Sequence, residues 1–389
     1  MINFATLKGF ATSKGNVTQI ARDGVVLWKL LTSKPVILQV EKITSDTYAG
    51  ETTYTGEQFV LLNIYPKTNG TVKVTYGGLT KTITDASGAE SPNAQQVFFG
   101  TFNGVSDSVS TPASGTVTIE GDVNNFAVGS YKKFANNKSS TVYCGCIESV
   151  IEWGSVKEIM GFAFNSCTSL TNISLPNGIT NIGVNAFTNC TSLKSVSLPD
   201  SITGIGTGMF SGCTSLTNIS LPNSITSIGG SAFFGCTSLT NVSLPNSITT
   251  IGDSAFYNCQ KIMFTEMPTN LVAIGTSAFY MNTTKVLDIA MNGKSVTLPN
   301  TIQSIGSDAF NTKYEAMDGA YEYFTYLSEV RILATTPPSI SDDTFGIGAY
   351  SSDGTKSGRI ETKMVVPAGC KDIYVTGWAA YGNNIVEAS

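Results

Sequence analysis

Apolar positions in the second half of the chain recur at a constant step of 23 residues. Phe164, Phe187, Phe210, Phe233 and Phe256 hold one slot, and Cys167, Cys190, Cys213, Cys236 and Cys259 hold another three residues on. Leu170, Leu193, Leu216 and Leu239 follow, with Ile262 in the fifth slot, and then Pro176, Pro199, Pro222, Pro245 and Pro268. The unit reads A-F-x-x-C-T-S-L-T-N-I-S-L-P-N-S-I-T-S-I-G, with Ser, Thr and Asn between the apolar positions. A fixed period of this length predicts a solenoid, in which each unit buries its apolar side against its neighbours. Within L-x-x-I-x-L, the first, fourth and sixth residues are expected inward and those between them outward, on one strand per repeat. S-I-T-S-I-G predicts a second extended arm. Its glycine and the following A-F predict a short turn of helix or 3₁₀, with the phenylalanines as an interior spine.

Upstream the period changes to two. Thr71–Tyr76 alternates apolar and polar, Gly77-Gly78 follows, and Leu79–Ile83 alternates again, which predicts a β-hairpin. Val36–Ile43, Phe59–Tyr65, Gln96–Phe102 and Thr116–Glu120 are further strand candidates. Short strands at this spacing predict a sandwich of Ig-like type. Cysteine is absent before position 144, so the immunoglobulin disulfide is not available. Val17–Ile20 and Val25–Trp28 around Asp23-Gly24 predict a short hairpin that must lean on something else. The expected organisation is mainly β: an attachment segment over 1–30, an all-β sandwich over 31–142, and a solenoid with a C-terminal cap over 143–389. The first repeat is atypical, because Val150-Ile151-Glu152-Trp153 stands in for its first strand. A cap over an open sheet edge is expected there.

Composition narrows the chemistry. Charged residues are 13 % of the 389, against about 25 % for an average soluble chain, so the surface must be mostly neutral and polar. The net charge is −5 and no Lys/Arg-rich run occurs, which disfavours nucleic acid and anionic membranes as partners. No apolar run reaches a membrane span, so no membrane insertion is expected. The opening Met1–Ala5 lacks the pattern of a secretory signal. There is no histidine, which rules out Ser/His/Asp and Cys/His catalytic groups. Neither a phosphate-binding glycine loop nor a metal-ligand cluster appears, and the adjacent Asp342 and Asp343 lack the separation across a cleft that glycoside hydrolysis needs. No enzyme, no cofactor and no metal are expected. An odd ladder of five cysteines cannot pair fully. Each is expected reduced and buried, its S–H turned to a backbone carbonyl, and Cys144-Gly145-Cys146 is too short for a relaxed disulfide.

Binding candidates lie where the repeat departs from itself. Between Phe164 and Ala255 the only charged residues are Lys194, Asp200 and Asp253, and the outward Ser/Asn positions read as a spacer or as a face for sugar hydroxyls. In the fifth unit Phe264 and Glu266 fall on outward slots. Phe279 to Phe310 then spans 31 residues, which places eight extra residues within Met281–Met291. The segment Asn311–Tyr326 holds Tyr314, Tyr321, Tyr323 and Tyr326, and Gly346–Arg359 is a further insertion. Insertions in a solenoid emerge on one face, often the binding face, and tyrosine suits recognition. The same aromatics could instead fold back to cap the last repeats.

The unit A-F-x-x-C-x-S-L-x-x-I-x-L-P-x-S-I-x-x-I-G resembles the BspA-type leucine-rich repeat, over roughly 150–389 and including Val365-Val366-Pro367 and Gly377-Trp378. The opening Ile2–Lys8 with Val26–Lys29 resembles the start of tail-associated proteins of phages of gut bacteria. The resemblance implies a non-enzymatic phage or prophage virion protein at the tail or particle surface that binds a glycan or protein of the bacterial host. A bacterial cell-surface adhesin is the alternative, and a structural spacer in a particle a second. Partners expected with the first reading are other virion proteins, through the N-terminal segment, and further copies of the chain, as in a trimer. Location at a virion surface or outside the cell follows.

Overall fold

The computed structural model describes the chain continuously over 156–262, 267–283, 295–315, 327–340 and 362–388, and elsewhere mainly as separate strands. The chain is mainly β, with stacked parallel sheets in its second half. In the first half, Val36–Glu41, Thr71–Tyr76, Leu79–Thr84 and Ser114–Gly121 join one antiparallel sheet. Gln58–Pro66, Gln95–Phe102 and Val123–Val128 join another. The expected hairpin forms with Tyr76 opposite Leu79, the register of a two-residue turn. Val72, Val74, Tyr76, Val117 and Ile119 are buried, as period-two alternation requires. Gln19–Arg22 pairs with Val25–Lys29 around Asp23-Gly24.

Ile147–Trp153 joins the two halves. It pairs antiparallel with Val36–Glu41 at the edge of the first sheet, and its last residue reaches into the repeats. The Trp153 ring meets Phe164 edge-on at 6.0 Å, and its Nε1 donates to Ser174 O at 2.9 Å. One tryptophan thus closes the open end of the ring stack and satisfies a carbonyl of the first repeat strand.

The repeats build two parallel sheets. In the first, Asn172–Ser174, Ser195–Ser197, Asn218–Ser220 and Asn241–Ser243 stand in register at the 23-residue step. Ile173, Val196 and Ile219 are buried, whereas Asn172, Ser174, Ser195, Ser197, Asn218 and Ser220 are exposed. The expected inward and outward positions hold. Gly204–Ile205, Ser227–Ile228, Thr250–Ile251, Ala273–Ile274 and Ser304–Ile305 build the second sheet.

The turn after the second strand is not the helix or 3₁₀ segment expected. Alternate N–H groups point in different directions. Ala163, Asn165 and Cys167 donate back to Met160, Phe162 and Phe164, closing successive turns. Phe162, Phe164 and Ser166 donate forward to Val184, Ala186 and Thr188 of the next repeat, at 2.8–3.1 Å. A helix cannot do this, because all its N–H groups point one way along its own axis. The reversal needs two residues per turn in the left-handed region, and Asn185 with Asn189, and Gly208 with Gly212, supply them.

These bonds hold repeats at ring-stacking distance. The spine runs through Phe164, Phe187, Phe210, Phe233, Phe256, Phe279 and Phe310 to Phe345, with centroids 5.0–5.6 Å apart and planes within 16°. The thiols form a parallel ladder. Sγ of Cys190, Cys213, Cys236 and Cys259 donates to the carbonyl of Phe164, Phe187, Phe210 and Phe233 at 3.0–3.2 Å. Cys167 and these four are free and buried, as expected; Cys144 and Cys146 lie outside the described residues.

The C-terminal end closes with Lys371–Gly377 as an α-helix, Ala379–Asn384 as 3₁₀ and Ile385–Glu387 as a strand. Trp378 and Tyr381 pack against Phe345. Trp378 Nε1 donates to Pro338 O at 3.0 Å, and Tyr374 Oη to Ala334 O at 2.8 Å. Phe345 N donates to Tyr381 Oη at 3.2 Å, so a phenol oxygen takes the place of a next repeat's carbonyl.

Three predictions follow from this packing. Phe210→Ala removes a fully buried ring from the middle of the spine and should cost about 3–5 kcal/mol, whereas Ser220→Ala, exposed on the first sheet, should cost well under about 1 kcal/mol. Denaturant unfolding of both variants measures the difference. A Cβ on Gly252 would stand 2.7 Å from Gly230 N and 2.9 Å from Gly229 C, both backbone atoms that cannot swing aside. Gly252→Ala should therefore cost about 1–3 kcal/mol by the same measurement, although its side chain is a single methyl.

The third concerns pH. Burial pushes the Cys259 thiol from 9.0 up to about 12 and raises Cys190 and Cys236 in the same direction. The folded chain thus holds these protons more tightly than the unfolded one. The contribution is complete below the unfolded thiol value and is lost as pH rises from about 9 toward 12. Melting temperature should fall over that window. The Cys190→Ala/Cys236→Ala/Cys259→Ala variant should show a shallower fall.

Candidate binding surfaces

The outward face of the first parallel sheet is neutral and partly self-satisfied. Ser195 Oγ donates to Asn172 Oδ1 at 2.7 Å, and the Asn172 and Asn218 amides donate to Thr171 and Thr217 Oγ1 at 3.2 and 3.3 Å. Thr217 and Thr240 Oγ1 donate in turn to carbonyls one repeat back. Side chains that bond along the ladder have less capacity left for a ligand, which favours the spacer reading of this face.

The second sheet has one interruption. Asn181–Ile182 pairs with Glu158–Ile159, and Gly204–Ile205 pairs with Ser227–Ile228, but no pairing joins the two sets. An open cleft of about 270 Å³ lies there, lined by Thr180, Asn181, Thr203, Gly204, Gly206 and Ser227 among others. Glycine stands at 204 where neighbouring repeats carry Asn181, Ser227 and Thr250.

Strands from the Met281–Met291, Asn311–Tyr326 and Gly346–Arg359 departures join one sheet. Met281–Thr283, Asn311–Glu315, Tyr321–Thr325, Ala349–Tyr350 and Lys356–Ser357 are hydrogen-bonded in that order. Met281–Thr283 runs parallel to Asn311–Glu315, and Tyr321–Thr325 returns antiparallel, with Glu315 opposite Tyr321, Tyr314 opposite Glu322 and Lys313 opposite Tyr323. The backbone thus gathers Tyr314, Tyr321 and Tyr323 into one hairpin. Phe264, Glu266 and Tyr326 lie outside the described residues. Next to Glu266 in the chain, Met267 is buried and its N–H donates to Thr297 O at 3.1 Å, so the next repeat resumes its stacking there.

A further aromatic row was not anticipated. Phe234, Tyr257 and Tyr280 each follow a spine phenylalanine. They stack at 4.8 and 5.0 Å with planes 6° and 9° apart. Exposure falls along the row: Phe234 is 40 % exposed, Tyr257 intermediate and Tyr280 buried at 6 %. The signal was present in the unit, since A-F-F, A-F-Y and A-F-Y occupy one slot of three successive repeats where Asn165, Thr188 and Ser211 stand in the first three.

Elsewhere, Glu329 holds Arg331 at 3.3 Å and Lys363 at 3.4 Å on the surface, an arrangement of small energetic value. Among the described residues, no helix is long and apolar enough to cross a membrane.

Residues 157–285 match the BspA type leucine rich repeat region in six copies. This match covers about a third of the chain. Among solved structures, a leucine-rich repeat protein of Eubacterium ventriosum is 29 % identical over 32 % of this chain, with a TM-score of 0.31. The chain spans about a third of that protein, 34 %. One from Bacteroides ovatus is 22 % identical over 61 % of this chain and 69 % of its own, with a TM-score of 0.34. A leucine rich cell surface protein of Faecalibacterium prausnitzii is 18 % identical over 66 % of this chain and 86 % of its own, with a TM-score of 0.28. No curated protein matches. The family match leaves residues 1–156 and 286–389 outside it.

Proposed function

We propose that this chain is a non-enzymatic binding protein of a bacterial cell surface, an adhesin whose BspA-type array carries recognition elements on a stiff, neutral support. The two leading readings of the sequence, virion protein and cell-surface adhesin, share the repeats. The match over 157–285 supports only that shared part. The virion reading depends in addition on Ile2–Lys8, which lie outside the described residues, and on Val26–Lys29. Nothing matched supports that addition, so the adhesin reading stands first. The N-terminal sheets serve in this reading as an Ig-like sandwich that sets the array off from its point of attachment.

One observation carries the proposal. Insertions far apart in sequence converge in a single sheet rather than scattering along the array. An array needing only to be stiff has no use for such an addition, and tyrosine-rich strands joined by backbone pairing form a surface broad enough for recognition.

The test is binding of the purified chain, coupled to beads, to a panel of bacterial and epithelial cell surfaces. The wild type should bind at least one of them. Tyr321→Ser/Tyr323→Ser/Tyr326→Ser should reduce that binding at least tenfold with the melting temperature kept within a few degrees, while Asn172→Ala/Asn218→Ala/Asn241→Ala should leave it nearly intact. Normal binding by a folded tyrosine variant would make the inserted sheet a cap.

A further inference from the structure

The row Phe234–Tyr257–Tyr280 is a stack with one unfinished end. Tyr280 and Tyr257 lie behind Phe234, and Tyr257 covers one of its faces at 4.8 Å. The opposite face looks toward the preceding repeat, where the equivalent position is Ser211. Gly212 N donates to Phe234 O at 2.7 Å, so the two repeats are in full backbone contact while the slot beside the ring holds only a hydroxymethyl group. Phe234 is 40 % exposed, although rings of the neighbouring spine slot are buried.

The edge of this slot is polar and uncharged. Asn189 sits one repeat further back, in the left-handed region, with its N–H bonded to Ser211 O. Its exposed side chain lies along the following turn, with Oδ1 2.3 Å from where a Cβ on Gly212 would stand. Glycine at 212 is what leaves the amide that room. Asn185 lies against Gly208 in the same manner. Neither the Ser211 hydroxyl nor the Asn189 amide bonds to another group among the described residues. Charge is nearly absent from the array, where Lys194, Asp200 and Asp253 are alone between Phe164 and Ala255, and the Asp253 carboxylate is engaged by Thr276 N at 2.8 Å.

An open aromatic face, a slot one ring thick, and unengaged hydroxyl and carboxamide groups at its rim make a specific chemical demand. The occupant must be a flat-sided ring with C–H bonds on its face and hydroxyls on its edge. The C–H face meets the negative face of the aromatic ring, and the edge hydroxyls exchange bonds with an amide that both donates and accepts. A charged ligand would find no counter-charge. We propose that the uncovered face of Phe234, with Ser211 and Asn189 at its rim, binds a neutral sugar ring of a surface polysaccharide, which continues the aromatic stack by one unit. This rests on the reading of the chain as a surface-binding protein. It adds a ligand class and a site separate from the inserted sheet.

The test is affinity electrophoresis of the full chain in native gels containing yeast mannan, a mixed-linkage β-glucan or arabinogalactan, with the polyanion alginate as a fourth gel. Retardation is expected in at least one neutral gel and not in alginate. Phe234→Ala should weaken it at least tenfold, and Phe234→Trp should preserve it. Ser211→Phe should abolish it by filling the slot, and this variant keeps the fold because the next repeats already carry Phe234 and Tyr257 at that position. Asn189→Ala should weaken it severalfold. Melting temperatures identify any variant that has unfolded. The proposal is overturned if no neutral gel retards the wild type, if alginate alone does, or if Ser211→Phe and Phe234→Ala migrate as the wild type does. Any of these results together with intact cell binding by the wild-type chain refutes the sugar site alone. Retained sugar binding with no cell binding refutes the adhesin reading instead.

Discussion

Everything in the array depends on the forward-pointing N–H groups of its turns. Three donors per repeat, at 162, 164 and 166 and their equivalents, hold the next repeat at backbone hydrogen-bond distance. The repeat-to-repeat spacing these bonds set, about 5 Å, is also that at which aromatic rings stack and a thiol reaches a carbonyl one repeat back. The spine, the thiol ladder and the two sheets are separate interactions on one common pitch. The same pitch explains the glycine that ends the S-I-T-S-I-G arm. Where the chain passes 2.3–2.9 Å from the preceding backbone, measured to a notional Cβ at Gly183, Gly229 and Gly252, no side chain fits.

The pitch also shapes the surfaces. Any residue type repeated at one slot becomes a column about 5 Å in period. Threonine and asparagine columns bond to themselves along the axis and spend part of their capacity there. Aromatic columns cover each other's faces, so the exposed chemistry of such a column lies at its end. In the row Phe234–Tyr257–Tyr280 one end, Phe234, is exposed and the other, Tyr280, is buried.

Much of the repeat was legible from residues alone. The period located Phe210, Leu216 and Cys213 in the core and Ser220 outside it, because strand alternation leaves no other arrangement. The direction of the turn was not legible. A-F-x-x-C suits a helical turn equally well by spacing, and only the alternation of N–H directions, which depends on left-handed residues such as Asn185 and Asn189, separates the two. Phe345 was also missed as the end of the spine. Ser339-Ile340-Ser341-Asp342-Asp343-Thr344-Phe345 keeps the spacing of Ser304–Phe310 but replaces its glycine and alanine, so it reads as a carboxylate pair rather than as a repeat. Of the candidate site, the positions of the insertions were legible from the broken period, but that their strands join one sheet is seen only in the backbone pairing. The Phe234 row was overlooked because each of its residues follows a spine phenylalanine and reads as core.

Both ends of the array are finished by side chains that stand where a further repeat would. Trp153 closes one end from a strand of the preceding sheet, and Tyr381 receives at the other the bond that a further repeat would have accepted. Between these terminators, from Phe164 to Cys259, the turn bonds, the ring stack and the thiol contacts recur at the 23-residue step. Length is therefore a modular property of this molecule. Duplicating or deleting one 23-residue unit in the interior would change the span of the array by about 5 Å while leaving both terminators and every type of contact as they were. Reach can thus be adjusted in heredity by copying, with no new packing problem to solve.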